Sequence, residues 1–151
     1  MHKNSFANRH RTAGLTLVEI LIALLVISVG LLGVAGLHAM SLRNNYDALM
    51  RSHASALAGD IADRMRANRA AALAEDSDYV IGITDEEVEV EEDSPIAIID
   101  LDEWRTALAE QLPQGKGSIA IDTDTRIVTI TVQWGERGDD EPVTFTTETE
   151  I

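Results

Sequence analysis

The chain contains no cysteine among its 151 residues. No disulfide can therefore form, and neither thiolate chemistry nor a cysteine-ligated metal site is available. A glycine-rich phosphate loop is also missing, and the four histidines are scattered rather than set at metal-ligand spacing. These absences exclude the common arrangements for nucleophilic, metal-dependent and nucleotide-dependent catalysis. The sequence therefore predicts a protein that is not an enzyme and that holds no cofactor.

Basic residues are scarce in the second half of the chain. Residues 74–151 contain four Lys and Arg against twenty-two Asp and Glu, a net charge of −18, whereas residues 1–73 carry a net charge of +4. So acidic a segment disfavours direct binding of nucleic acid or of anionic lipid by this half. Seven acids fall within residues 84–93, which predicts a solvated acidic loop or insert over residues 74–101.

Charge is absent from Ile20 to Leu37, eighteen consecutive residues in which Ser28 is the only polar side chain. An apolar run of this length is typical of a helix that spans a membrane. The leader over residues 1–14 is polar and basic, and its small pair Ala13-Gly14 precedes the apolar run, which reverses the order found in a secretory signal peptide. The basic leader indicates a single-pass protein with its N-terminus in the cytoplasm and its bulk outside.

Glu19 lies close to the start of the apolar run, where a carboxylate is costly. In one interpretation, Thr16 and Glu19 form a capping box at the N-terminus of the helix. In the other, Glu19 pairs with a cation of another molecule, because an unpaired charge at membrane depth costs about 3 kcal/mol or more, and no Lys or Arg lies between Glu19 and Arg43. Cleavage after Gly14 would create an α-amino group at Leu15, about one helical turn from Glu19.

Residues 14–19, Gly-Leu-Thr-Leu-Val-Glu, and the apolar run behind them resemble the class III leader of type IV prepilins and pseudopilins. The usual pattern of that leader is Gly-Phe-Thr-Leu-x-Glu, so Leu15 departs from it. The resemblance implies that a membrane peptidase cleaves after Gly14, that Leu15 becomes the methylated N-terminus, and that Glu19 pairs with the N-terminal amine of a neighbouring subunit. LRNN at 42–45 and DIADRMRANRAAALA at 60–74 are further similar to a minor pilin family, the type IV pilus modification proteins (PilV).

This resemblance implies a structural subunit that is incorporated into a type IV pilus or primes its assembly, and that supports adhesion and twitching motility. Its partners would be other major and minor pilins, the prepilin peptidase, the inner membrane and the pilus assembly platform. The protein would reside in the inner membrane with a periplasmic head and then in the extracellular pilus. A minor pseudopilin of a type II secretion system shares the leader and the helix, and a tip adhesin or binding module is a third alternative.

No proline interrupts residues 15–73, which predicts one continuous helix with two parts. Residues 15–40 would cross the membrane, and residues 41–73 would be amphipathic, with an apolar stripe at Leu42, Tyr46, Leu49, His53, Leu57, Ile61 and Met65. Gly30, Gly33 and Gly36 recur along one face of the first part. They either permit close helix packing or local melting, or they reflect only the frequency of glycine in membrane helices.

The second part of the predicted helix carries Arg64, Arg66 and Arg69 beside Asp60 and Asp63. The default interpretation is a solvated face on which these charges form ion pairs along the helix. The alternative is that the arginines contact the acidic distal half of the same chain or of a neighbouring subunit.

The globular head is predicted over residues 102–151. Residues 101–113 indicate a short helix that is capped by Asp102, ends at Pro113 and carries Trp104 on its apolar face. Residues 118–121, 126–134 and 142–150 indicate three short strands of an antiparallel meander. Their inward residues would be Val128, Ile130, Val132, Trp134, Val143 and Phe145. The predicted fold class is α+β, a long N-terminal helix packed on a small antiparallel meander, which is the architecture that the resemblance to pilins implies.

Overall fold

The computed structural model describes residues 16–84, 88–136 and 141–151. The chain divides into two compact units, the first ending at Asn44 and the second running from Asn45 to Ile151. In the first unit the described residues form the apolar part of a single helix. In the second unit, the rest of that helix packs against a second long helix and a three-stranded antiparallel sheet around one hydrophobic core. The predicted α+β fold is confirmed.

Helix α1 runs from Leu17 to Ala67 without interruption and contains 51 residues. It ends earlier than predicted, because Asn68 has a non-helical backbone (φ −109°, ψ 42°) and only the short helix α2, Arg69–Ala72, follows. The side-chain amide of Asn68 donates a hydrogen bond to the hydroxyl of Tyr79 over 3.2 Å. Asparagine is a poor helix former, and α1 ends where Asn68 makes this tertiary contact, at a place that no proline marks.

The face of α1 that packs in the second unit is lined partly by small residues. Its buried members are Met50, Ala54, Leu57, Ala58, Ile61, Ala62 and Met65. The C-terminal residues of the predicted stripe, Leu57, Ile61 and Met65, are buried in this core, whereas Leu42, Tyr46 and Leu49 at its N-terminal end are exposed. The alanines at spacing four displace the stripe around the helix, because other elements can approach closely only where the side chains are short.

Helix α3 runs from Ile96 to Gln111, and so it begins inside the segment that was predicted to be an acidic loop. Pro95 precedes it, and the carbonyl of Pro95 accepts hydrogen bonds from the N–H groups of Ile98 (3.0 Å) and Ile99 (3.3 Å). Proline suits this position because its φ is fixed and it has no N–H to satisfy. Asp102 accordingly lies inside the helix and does not cap it. The helix ends before Pro113, as predicted.

Three strands form the sheet: β1 (Lys116–Asp122), β2 (Ile127–Trp134) and β3 (Val143–Glu150). They pair antiparallel in the order β1-β2-β3, which confirms the predicted meander. The predicted inward residues of β2, Val128, Ile130, Val132 and Trp134, are all buried. Those of β3, Val143 and Phe145, are half-buried and pack against the core. Alternation with period two therefore assigned the inner face of the sheet correctly.

Trp104 of α3 lies at the centre of the core with 1% of its surface exposed. Its indole Nε1–H donates a hydrogen bond to the carbonyl of Leu57 in α1 over 3.0 Å. The other side of the ring meets β1 at Gly117, where an added Cβ would lie 2.3 Å from Cη2 of Trp104. Trp104 therefore connects α1, α3 and β1, and this close approach requires glycine at position 117.

Candidate functional site

Thr16 immediately precedes α1 and caps its N-terminus. The Oγ1 atom of Thr16 accepts a hydrogen bond from the N–H of Glu19 over 3.2 Å. The carbonyl of Thr16 accepts hydrogen bonds from the N–H groups of Glu19 (3.0 Å) and Ile20 (3.2 Å). The cap satisfies one of the N–H groups that a helix leaves unpaired at its start. The threonine half of the predicted capping box is therefore present.

The carboxylate of Glu19 takes no part in this cap. Among the residues that the structure describes, it forms neither an ion pair nor a hydrogen bond with the backbone of Thr16. The cap needs only the backbone N–H of residue 19, which every residue except proline provides. The described part of the chain thus gives the carboxylate no partner, and leaves it only a favourable position near the positive end of the helix dipole. The predicted cleavage site Gly14 and the predicted methylated residue Leu15 lie outside the described residues.

From Ile20 to Leu37, α1 is apolar on all sides. Its most apolar 18-residue window has a mean hydropathy of 2.8, and none of that window is buried within the chain. The hydroxyl of Ser28 donates a hydrogen bond to the carbonyl of Leu24 over 2.7 Å, so the polar group in this stretch is satisfied inside the helix. By length and composition, α1 is the helix in the described part of the chain that can cross a membrane.

Gly30, Gly33 and Gly36 lie on this apolar surface. The helix is continuous through all three, and a Cβ added to any of them would meet no atom within 4 Å. Alanine would also favour the helix by about 1 kcal/mol at each position. Nothing inside the described chain therefore requires glycine here, and the hypothesis that these residues serve helix packing or melting depends on contacts with other molecules.

Comparison with protein families matched residues 9–35 to the prokaryotic N-terminal methylation motif. The matched span includes Gly14, Leu15 and Glu19 together with the start of the apolar helix. The motif indicates a type IV pilin-like or pseudopilin precursor. It points to a structural subunit rather than an enzyme, and with the apolar helix it fits membrane anchoring and pilus assembly. No curated protein and no solved structure matches the chain.

In the unit from Asn45 to Ile151, Arg64 connects α1 with α3. Its guanidinium pairs with Glu103 (2.5 Å) and Asp100 (3.2 Å) on α3, and with Asp60 (2.9 Å) on its own helix. The hydrogen bond to Glu103 is the main reason why the pKa of Arg64 is raised above its usual value. Both interpretations of this arginine cluster therefore apply to Arg64, whose acidic partners lie on its own helix and in the distal half of the same chain.

Asp100 links this arginine to a buried tyrosine that the sequence did not reveal. The hydroxyl of Tyr79 donates to Asp100 over 2.6 Å and accepts from Asn68 over 3.2 Å. Burial, followed by the bond to Asp100, raises the pKa of Tyr79 from 10.0 to about 12. The folded state therefore binds the phenol proton more tightly than the unfolded state. This stabilisation is complete below pH 10 and is lost as the pH rises towards 12.

Replacing Arg64 with Ala is expected to lower the free energy of unfolding of the globular unit by about 1–2 kcal/mol. Asp100 is only 13% exposed and would lose its cation, whereas the more exposed Asp60 and Glu103 would return to water at little cost. Denaturant unfolding in detergent micelles, followed by tryptophan fluorescence, measures the change. The matched control is Arg69→Ala, because Arg69 is exposed and has no ion pair among the described residues. Equal effects of the two substitutions would contradict a stabilising role for the Arg64 contacts.

A cavity of about 680 Å³ lies beside α3 in the same unit. Arg105 and Lys116 are its basic lining residues, with Asp102 and Gln114 beside them and Leu108 in its apolar part. The guanidinium of Arg105 donates a hydrogen bond to the carbonyl of Thr84 over 3.1 Å, and so it holds the end of a loop against α3. In the ranges that the structure describes, no group of three or more His, Asp or Glu side chains is placed to hold a metal ion.

Proposed function

We propose that the protein is a minor pilin, a structural subunit that enters a type IV pilus or primes its assembly after leader cleavage and N-terminal methylation. The observation that carries this proposal is an apolar helical segment that follows a leader motif and has no residue buried within the described part of the chain. Such a surface needs lipid around it before assembly and other protein helices around it afterwards. Both environments are those of a pilin.

In this proposal Glu19 pairs with the N-terminal amine of an adjacent subunit, and that amine is the one on Leu15 of the adjacent subunit. Two observations support the role. The carboxylate takes no part in the Thr16 cap, and no cation among the described residues pairs with it. Surrounded by apolar side chains, a lone carboxylate is costly, and an amine of opposite charge lowers that cost. Assembly would therefore supply a partner for a charge that has none among the described residues of a single subunit.

The similarity of residues 42–45 and 60–74 to the PilV minor pilins favours a pilus over a type II secretion system. The partners would be the other major and minor pilins, the prepilin peptidase and the assembly platform in the inner membrane. The subunit would wait in that membrane, with its N-terminus in the cytoplasm and its globular unit in the periplasm, before it joins the extracellular fibre. In that fibre it would support adhesion and twitching motility.

The experiment that tests the proposal is the intact mass and the N-terminal peptide of the protein from cells with and without the prepilin peptidase. We expect a mature species that begins at Leu15, carries one added methyl group and depends on the peptidase. A protein that keeps residues 1–14 in both strains would be an ordinary signal-anchored membrane protein, and the proposal would be wrong.

A second measurement separates the pilus from the secretion system. We expect the mature species in pili sheared from the cell surface, and we expect a strain that lacks the protein to form fewer pili while its type II export is unchanged. Loss of export with normal piliation would instead identify a minor pseudopilin.

A further inference from the structure

Strand β3 forms one edge of the sheet, and its outer side is open. The opposite edge, β1, is contacted at Ile119, which exchanges two backbone hydrogen bonds with Ile81 (2.8 and 3.1 Å). For β3, the described residues form no such bridge on the side that faces away from β2. Within the described ranges the two edges of the sheet therefore differ, and β3 presents the longer row of backbone groups without a bridge to another strand.

The pairing pattern shows which groups of β1 and β2 point towards β3. Because Ile119 directs its N–H and carbonyl outwards, its neighbour Ser118 directs them to β2, since antiparallel strands bond at alternate residues. Thr131 lies opposite Ser118 and therefore points to β1. Its neighbours Ile130 and Val132 then point to β3.

The same alternation continues into β3. Ile130 and Val132 lie opposite Thr147 and Phe145, so these two residues bond to β2. A hydrogen bond from the N–H of Ile151 to the carbonyl of Arg126 (3.1 Å) fits the same odd-numbered series of β3. It follows that the even-numbered residues direct their N–H and carbonyl groups to the open side: Thr144, Thr146, Glu148 and Glu150.

Arg66 marks one end of this open row. Its guanidinium on α1 donates to the hydroxyl of Thr149 and, over 3.4 Å, to the carbonyl of Glu150. The carbonyl of Glu150 belongs to the outward series, and Arg66 occupies it. No backbone group of another described residue bonds to the outward groups of Thr144, Thr146 and Glu148, and this open length is enough for a short strand.

The side chains along this edge indicate the chemistry of the strand that fits it. Phe145 and Val143 face the core but are only half-buried, so part of their apolar surface remains to be covered. Glu148 and Glu150 are exposed on the opposite face. Cross-strand neighbours interact on each face separately. A strand that alternates apolar and basic residues would cover Phe145 on one face and pair with the glutamates on the other.

We propose that β3 is a docking edge for an extended segment of another protein, in which apolar and basic residues alternate, and that this segment adds a fourth strand to the sheet. A second copy of this chain is not the partner. The unit from Asn45 to Ile151 contains 8 basic and 25 acidic residues, a net charge of −17, and pairing two β3 edges would bring four glutamates onto one face. This inference depends on the globular unit alone and stands whether or not the protein enters a pilus.

The test uses the full-length protein in detergent micelles and three short fluorescent peptides with blocked ends. One alternates Val and Lys, one alternates Val and Glu, and one has the Val and Lys residues of the first sorted into two blocks. By fluorescence anisotropy, we expect the alternating Val-Lys peptide to bind at least about tenfold more tightly than either control. Equal binding of the block peptide would show attraction by charge alone and would overturn the proposal.

Hydrogen exchange locates the bound peptide. We expect the amides of Thr144, Thr146 and Glu148 to exchange more slowly when the alternating Val-Lys peptide is bound. The amides of Phe145 and Thr147 should not change, because they already bond to β2. Slower exchange elsewhere, with these three amides unchanged, would place the peptide at another site and contradict docking at β3.

Two variants test the edge itself. Thr146→Pro removes one outward N–H and obstructs an added strand, but it spares the bonds to β2, so proline is tolerated there. We expect at least about tenfold weaker binding of the alternating Val-Lys peptide, whereas Thr146→Val should bind it normally. The double variant Glu148→Lys, Glu150→Lys keeps the strand and should prefer the Val-Glu peptide. Unchanged binding in both Thr146→Pro and the double variant would refute the proposal.

Discussion

A chain with Glu19→Gln is expected to reach the membrane and lose its leader, yet to enter pili at less than about a tenth of the wild-type level. Glutamine has the same shape as glutamate, and the Thr16 cap uses only the backbone N–H of residue 19, so the helix should form normally. What the variant loses is the ion pair with the N-terminal amine of the next subunit. A tenfold loss of incorporation corresponds to about 1.4 kcal/mol. This is a modest part of what is lost when one partner of a buried ion pair is removed in an apolar surrounding. Quantitative mass spectrometry of sheared pili, relative to the membrane pool, measures the loss.

The reciprocal control is Thr16→Val, which removes the capping hydroxyl and keeps the carboxylate. It should weaken the first helical turn by about 1 kcal/mol and should leave incorporation nearly unchanged. If Glu19→Gln entered pili at the wild-type level, Glu19 would have no role between subunits. If Thr16→Val failed instead, the capping interaction would be the function of this motif.

Gly117→Ala is expected to destabilise the globular unit by about 2–3 kcal/mol. The added methyl group would lie 2.3 Å from Cη2 of Trp104 and 2.9 Å from Cδ1 of Leu108. Trp104 cannot easily retreat, because its indole N–H is bonded to the carbonyl of Leu57 on the other side. Denaturant unfolding in micelles, followed through the fluorescence of the two buried tryptophans, reports the free energy of unfolding.

Gly59→Ala is the matched control, because it makes the same chemical change where there is space. Gly59 is exposed in α1, and a Cβ there would meet no atom within 4 Å. The higher helix propensity of alanine should therefore stabilise the chain by up to about 1 kcal/mol. Opposite signs for the two substitutions are the expected result. If Gly117→Ala were neutral, the contact between Trp104 and β1 would be looser than the structure shows.

The elements that could be predicted from the sequence are those whose pattern is local. Val128, Ile130, Val132 and Trp134 alternate strictly, so the inner face of β2 follows from four residues read in order. The apolar part of α1 is equally local, because eighteen uncharged residues need no tertiary information. The leader motif lies in six consecutive residues, and for the same reason the candidate site at the start of α1 could be proposed without a structure.

The parts that could not be predicted depend on residues far apart in the chain. α1 ends just before Asn68, whose side-chain amide bonds to Tyr79, eleven residues later. Arg64 meets Asp100 and Glu103 across separations of 36 and 39 residues, and the sequence offered two interpretations without a means to choose. The start of α3 is a different case. Pro95 could have indicated the beginning of a helix, but the acidic residues that precede it led to the prediction of a loop.

The two parts of α1 place different limits on the substitutions that evolution can accept. In the globular unit, Ala54, Ala58 and Ala62 are buried, so volume is constrained there and an added methylene would force the core apart. In the apolar part, the large apolar side chains make few contacts with the rest of the same chain. Apolar character therefore matters there, and volume matters little until another subunit packs against the helix. Mutational drift should therefore interchange Leu, Ile and Val freely near Leu25, but at the three alanines it should be limited to glycine or serine.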